Sequence, residues 1–232
     1  MKLTQIQIDQ LYQFTRQHYV EWYDLQTELV DHLANAIEEQ WQKKPKLSFE
    51  DALQIEFKKF GVFGFMDVVE KRQASLNKKY NKIVWKHFKE FFTIPKIFAS
   101  LTFIALLFYV LNLNFYQSEI LLISFSFCVF SFLGIIIFRK IKNKKHNKIT
   151  GKKWLFKEII FNYGSFAGMF YLPIQFLMHT DKIIQTELGI LFISILIISL
   201  ILFEYIILFQ IPSKAEEYLK ATYPEYELAN SL

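Results

Sequence analysis

Cysteine occurs once in these 232 residues, at Cys128, so an intramolecular disulfide is excluded, as is any site built on paired thiolates. Glycine (seven) and proline (five) are scarce. None of the glycine-rich phosphate cradles is present, neither G-x-G-x-x-G nor a Walker loop. H-E-x-x-H, C-x-x-C and the known Ser/His/Asp orderings are also missing, so no catalytic residue, metal or cofactor is assigned. The opening residues, MKLTQIQIDQLYQF, lack the apolar core of a cleavable signal peptide.

Apolar length is what the chain does have. It is 53% hydrophobic with 26 Phe, and its charge is unevenly spread. Residues 1–70 hold seven Lys/Arg against twelve Asp/Glu, whereas 71–232 hold twenty against ten. The basic pI therefore belongs to the second part, where cations flank apolar runs; that placement points to membrane topology rather than to nucleic acid. The densest cluster, Arg139–Lys157, carries nine Lys or Arg and no acid. Four spans of near 20 residues are predicted, over 95–113, 119–138, 158–178 and 187–210. The connections 112–118 and 179–186 hold one lysine between them, so counting positive charge puts both termini in the cytoplasm. The Lys/Ile/Phe/Asn-rich vocabulary suggests a bacterial chain, hence the inner (cytoplasmic) membrane.

A repeat runs through this part. Phe88-Lys89-Glu90 returns as Phe156-Lys157-Glu158 and Gln117-Ser118-Glu119 as Gln185-Thr186-Glu187, both 68 positions later. Ten of the 52 pairs aligned at that offset are identical, which suggests two tandem two-span hairpins. Gly164 and Gly168 offer a small face for close helix packing. Glu204, within FEYIILFQ, is an acidic residue inside an apolar run: a functional candidate by default, and otherwise a structural tie to Asn162, Tyr163 or the basic loop. Glu119, His179, Asp181 and Glu187 fall at the opposite ends of the spans, where solvated loop polarity is favoured over cation binding or pH sensing.

The first 76 residues read as a small all-helical domain. Thr4 can cap a first helix with Ile6, Ile8, Leu11, Tyr12 and Phe14 as apolar positions. A second helix over about 20–41 repeats Leu25, Leu29, Leu33 and Ile37, and leaves Asp24, Glu28, Asp31, Glu38 and Glu39 as an acidic outer surface. Ser48 caps a third helix, Gly61 suits its C-terminal turn, and a fourth begins near Phe63. His32 with Glu28 gives too few ligands for a metal site. From Lys71 to Phe92 seven cations alternate with Tyr80, Val84, Phe88 and Phe91 on another face. Lys78, Lys79, Lys82, Trp85, Lys86 and Lys89 then read as a membrane-surface helix over 77–94, and Trp154 as its counterpart before span three. Residues 212–232 read as a cytosolic tail.

The strings ELVDHLANAIEE, LSFEDALQIEFKKFG and FMDVVEKR resemble the HAAS signalling-domain family over roughly residues 20–75. That resemblance implies a small helical cytosolic domain, often fused to membrane spans and associated with PadR-type transcription regulators: a regulatory interaction module rather than an enzyme. The expectation is an all-α chain, a cytosolic acidic domain on a four-helix membrane domain, acting without catalysis in signalling or regulation. Its partners would be the bilayer and a cytosolic regulator or membrane-complex partner, with a homodimer open. The alternatives are a structural subunit of a membrane complex, using Gly164 and Gly168, and a small transporter or membrane enzyme using Glu204.

Overall fold

The computed structural model describes residues 2–113, 115–150, 152–162, 175 and 183–227, with backbone alone for 139, 140 and 142–150. The described residues are helical wherever they are regular, and no strand occurs among them. They divide into two compact units, one from residues 1–76, 147–158 and 225–232, the other from 77–146 and 159–224.

In the first unit α1 (Gln5–Gln17) starts with a capping box, the Thr4 hydroxyl taking the Gln7 amide while the Gln7 side chain takes the Thr4 amide. Helix α2 (Tyr23–Lys43) buries Leu25, Leu29, Leu33, Ile37 and Trp41, the stripe its sequence period predicts. Ser48 caps α3 (Phe49–Lys58), and its Oγ accepts the Asp51 amide at 3.0 Å. Phe14, His18, Phe57 and Phe65 meet edge to face beneath these helices, with Phe14–Phe57 centroids 5.1 Å apart and Phe57–Phe65 5.0 Å. Glu56, buried at 4%, is satisfied by Gln40 and by Lys59 at 2.6 Å. Ile6 departs from expectation: as the second residue of α1 it stands 73% exposed.

Helix α4 (Met66–Glu90) runs for 25 residues without a break, because no glycine or proline interrupts it. The domain's fourth helix and the basic aromatic segment are thus one element. In the second unit its Tyr80, Val84 and His87 are buried against protein, not turned to a headgroup layer. Lys79 also turns inward, donating to Thr222 Oγ1 at 2.9 Å. Phe88 stacks on Phe203 at 4.1 Å.

Helix α5 (Lys96–Asn112), helix α6 (Gln117–Thr150) and helix α8 (Glu187–Tyr205) share a core of Leu111, Leu121, Phe125, Ile190, Ile193, Ile197 and Leu200. Helix α7 (Leu155–Phe161) lies between α6 and α8 in sequence. Helix α6 continues through the basic cluster to Thr150 where a loop is expected, since Lys, Arg, Ile and Asn sustain a helix and the next breaker is Gly151. Helix α8 passes into a π-helical turn, Ile206–Gln210, in which Ile211 N–H donates to Ile206 O. Pro212, which has no N–H and crowds the carbonyl four residues earlier, accounts for that wider register.

Among the described residues two helices are long and apolar enough to cross a membrane, Gln117–Phe138 with 22 residues and Glu187–Ser213 with 27; Lys96–Asn112 is apolar but shorter. Only 22% and 33% of the two apolar windows are buried within the protein, far less than a soluble core helix would show. Most of span three, with Tyr163, Gly164, Gly168 and Pro173, lies outside the described residues, as do His179 and Asp181. The stretch 215–226 is not a free tail. Leu219 of α9 (Ala215–Lys220) and Tyr223 are buried in the second unit, and Tyr226 in the first.

Candidate functional site

Helix α2 begins without a side-chain cap: its N-cap is Trp22, which has no short polar group to offer. The chain meets that deficit from far away. The Tyr23 N–H donates to the Lys153 carbonyl at 2.7 Å. In return the Asp24 carboxylate accepts the N–H of Leu155, the first residue of α7, at 3.1 Å. Two helix N-termini therefore satisfy each other's orphan donors, and the Asp24 charge sits where the α7 dipole favours it.

Side chains tighten this reciprocal cap. Lys153 Nζ lies 2.6 Å from Glu21 Oε2, and the Trp22 indole N–H donates to Glu158 at 2.6 Å. Donating to the Glu21 carboxylate holds the Lys153 ammonium's pKa above the ordinary lysine range. Trp154 is 3% exposed, wedged between the Tyr23 ring at 5.4 Å and the Tyr226 ring at 5.0 Å, while Lys152 sits 4.9 Å over the Tyr23 ring. An open cleft of about 540 Å3 adjoins the clamp, lined by Asp9, Tyr12 and Arg16 of α1 and by Glu21, Tyr23, Lys152 and Lys153 among others.

Two expected roles are corrected here. Asp24 is not on the outer acidic surface but 6% exposed, because the Lys152–Glu158 segment covers that end of α2. Trp154 is not a membrane-surface residue, because the first unit's aromatic rings enclose it. Glu28, Asp31 and Glu39 are exposed; Glu38 is half-buried and accepts the Leu3 amide at 2.9 Å, and Glu39 pairs with Lys43 at 2.6 Å. These four acids lie along one side of α2 at about 3.6 residues per turn. His32 is exposed and meets the Phe60 ring edge-on at 5.9 Å. Among the described residues no three His, Cys, Asp or Glu side chains gather to hold a metal ion.

In the second unit Glu204, just before the π-helical turn, accepts the Ser131 hydroxyl at 3.0 Å and is also hydrogen-bonded to Cys128, and both of these partners are on α6. A second polar group is built on His87. Its Nε2 is 2.7 Å from the Tyr218 hydroxyl, and its Nδ1 is 3.1 Å from Glu90 Oε2 and 2.9 Å from Gln210 Nε2. Lys78, Lys82, Lys86 and Lys89 are exposed, as is Trp85 at 48%. Nothing in the sequence signals the long-range partners of Asp24 or His87, since each lies more than 120 positions away.

No family model, curated protein or solved structure matches this chain.

Proposed function

We propose that this chain is a non-enzymatic regulatory protein of the bacterial cytoplasmic membrane. In this reading four spans carry a helical domain inside the cell, and the domain engages a cytosolic partner. The observation that carries it is the clamp: the segment between two apolar stretches, Lys152–Glu158, is a structural part of the helical domain, capped by Asp24 and gripped by Glu21 and Trp22. A change among the spans that pulls on this segment acts directly on the start of α2. Support for the topology comes from the two long apolar helices, the shorter α5, and the cations that flank them. The 68-residue repeat supports four spans in two hairpins, and the resemblance to HAAS-type domains supports an interaction module.

The exposed acids Glu28, Asp31 and Glu39 of α2 form the partner surface, complementary to a basic protein. Full-length protein purified in mild detergent captures a soluble regulator in this reading, and replacing all three acids by Lys abolishes capture. Unchanged capture by the triple variant refutes the surface, and tight copurification of a membrane protein instead favours a complex subunit. A second reading rests on Glu204 beside the π-helical turn, a geometry frequent at functional sites, and makes the chain a small transporter or membrane enzyme. Activity that survives Glu204→Gln eliminates it.

A further inference from the structure

From Lys71 to Lys89 the chain holds seven cations and no acid, and the fold sorts them. Lys79 is turned inward to Thr222, and Tyr80, Val84 and His87 fill the inner face of α4. Lys78, Lys82, Lys86 and Lys89 remain exposed, three or four residues apart, so they form one stripe along the opposite face. Trp85 borders that stripe at 48% exposure, braced edge-on by Phe88 at 5.6 Å and Phe203 at 5.4 Å. Past the helix end Phe92 and Ile94 stand 43% and 80% exposed, directly before the apolar helix α5.

We infer that this lysine face, with Trp85 at its edge, docks on anionic phospholipid headgroups of the leaflet that α5 enters. This rests on the membrane reading above and adds a specific lipid chemistry to it. Of the residues the sequence assigns to the membrane surface here, only Lys79 is withdrawn. The face that meets lipid is the cationic one, because packing within the protein has taken the Tyr80/Val84 side. A bilayer surface rich in negative charge attracts each nearby Lys by about fivefold in local partition, an attraction that fades within about 8 Å at physiological salt. Trp85 fits the same layer, because an amphipathic indole settles at the boundary between headgroups and acyl chains. A zwitterionic surface offers no net charge to four lysines, so lipid composition sets how firmly this part of α4 is held.

The test uses the full chain in vesicles of equal total lipid, where either the anionic or the zwitterionic lipid carries brominated acyl chains at the same mole fraction. Subtracting the Trp85→Phe signal isolates Trp85 from the other three Trp. Expected is at least about twofold stronger quenching of Trp85 by the brominated anionic lipid at low salt. That preference falls as salt rises and vanishes when Lys78, Lys82, Lys86 and Lys89 are all replaced by Gln. Equal quenching by both lipids, in protein that floats with the vesicles, overturns the lipid assignment and leaves the membrane reading standing. A preference that persists in the quadruple variant overturns the role of the lysines. A Trp85 response to added heparin in wholly zwitterionic vesicles, without any lipid preference, assigns the face to a soluble polyanion instead. Protein that does not float with vesicles refutes the membrane reading, and this inference with it.

Discussion

At His87 three partners compete for two ring nitrogens, and the chemistry selects one arrangement. Burial raises the Tyr218 hydroxyl above its ordinary range, so it stays protonated and donates to Nε2. Nδ1–H then donates to Glu90, and this bond is the first cause holding the Glu90 carboxyl below the usual carboxylate range. Nδ1 cannot also accept from the Gln210 amide nitrogen at 2.9 Å. Gln210 Oε1 meanwhile is buried without a partner. Turning the amide over places Oε1 toward Nδ1–H, which it then shares with Glu90, and removes the donor–donor conflict at Nδ1, since amide oxygen and nitrogen are assigned by their hydrogen bonds. The pH consequence follows from the sign of the Glu90 shift. A carboxyl depressed by folding stabilises the protein fully above its unfolded value, about 4.3, and the contribution is lost as pH falls through the lower folded value. The pair is more than one-third exposed on the Glu90 side, so the contribution is about 0.2–1 kcal/mol. Glu90→Gln is expected to lower the thermal midpoint in detergent near neutral pH and to converge with the wild type in acid. Parallel melting curves at every pH would show that the bond contributes nothing.

Among elements, α8 depends on one glycine. Thr186 Oγ1 caps the helix by accepting the Gly189 N–H at 3.1 Å, and the chain before it folds back so closely that a Cβ on Gly189 would lie 1.7 Å from the Ile183 carbonyl oxygen. That atom is backbone and cannot step aside, so Gly189→Ala must shift the connection or the start of the helix, at a cost of about 1–3 kcal/mol. Gly134, within α6, is the control: nothing lies within 4 Å of its added Cβ, and Ala there gains helix propensity. Unfolding of both variants in detergent, followed by helical circular dichroism, should separate them clearly. A Gly189→Ala protein as stable as Gly134→Ala would mean the turn adapts freely. The sequence reveals elements of this kind unevenly, for a physical reason. Thr4, Ser48, the Leu25–Ile37 stripe and the two long apolar helices are legible because capping, period and length are local properties. The reciprocal cap is not, because Asp24 and Leu155 are 131 positions apart and each alone looks like an ordinary surface or helix residue. The inward turn of Lys79 is hidden for the same reason, its partner Thr222 being 143 positions away. The continuation of α6 through six cations, Arg139 to Lys148, is readable in principle from the absence of breakers, but the charge density points to a loop.

For the molecule as a whole, the first unit is not a segment of sequence. It needs residues 147–158 and 225–232 as well as 1–76. Trp154, Leu155 and Phe156 are 3%, 1% and 0% exposed and belong to its interior side of the clamp. Burying side chains of this size is worth about 1.5–3 kcal/mol each, against a whole-domain stability of about 5–15 kcal/mol. A fragment ending at residue 92 therefore loses a large share of what holds the domain, uncovers the Tyr23 ring, and leaves the start of α2 without its carbonyl acceptor and Asp24 without its donor. The first turn of α2 is expected to fray in that fragment, with its amides exchanging with solvent much faster than in the full chain, while α3, whose Ser48 cap is local, keeps its protection. Asp24→Ala in the full chain should give a weaker version of the same pattern, a loss of about 1–2 kcal/mol localised to α2 and α7. If the fragment protects the first turn of α2 as well as the full chain does, the clamp is a contact without energy, and a pull on Lys152–Glu158 has nothing to transmit. If protection falls as expected, the coupling is reciprocal: whatever binds the outer side of α2 and orders it must also tighten its hold on that segment, by the same factor.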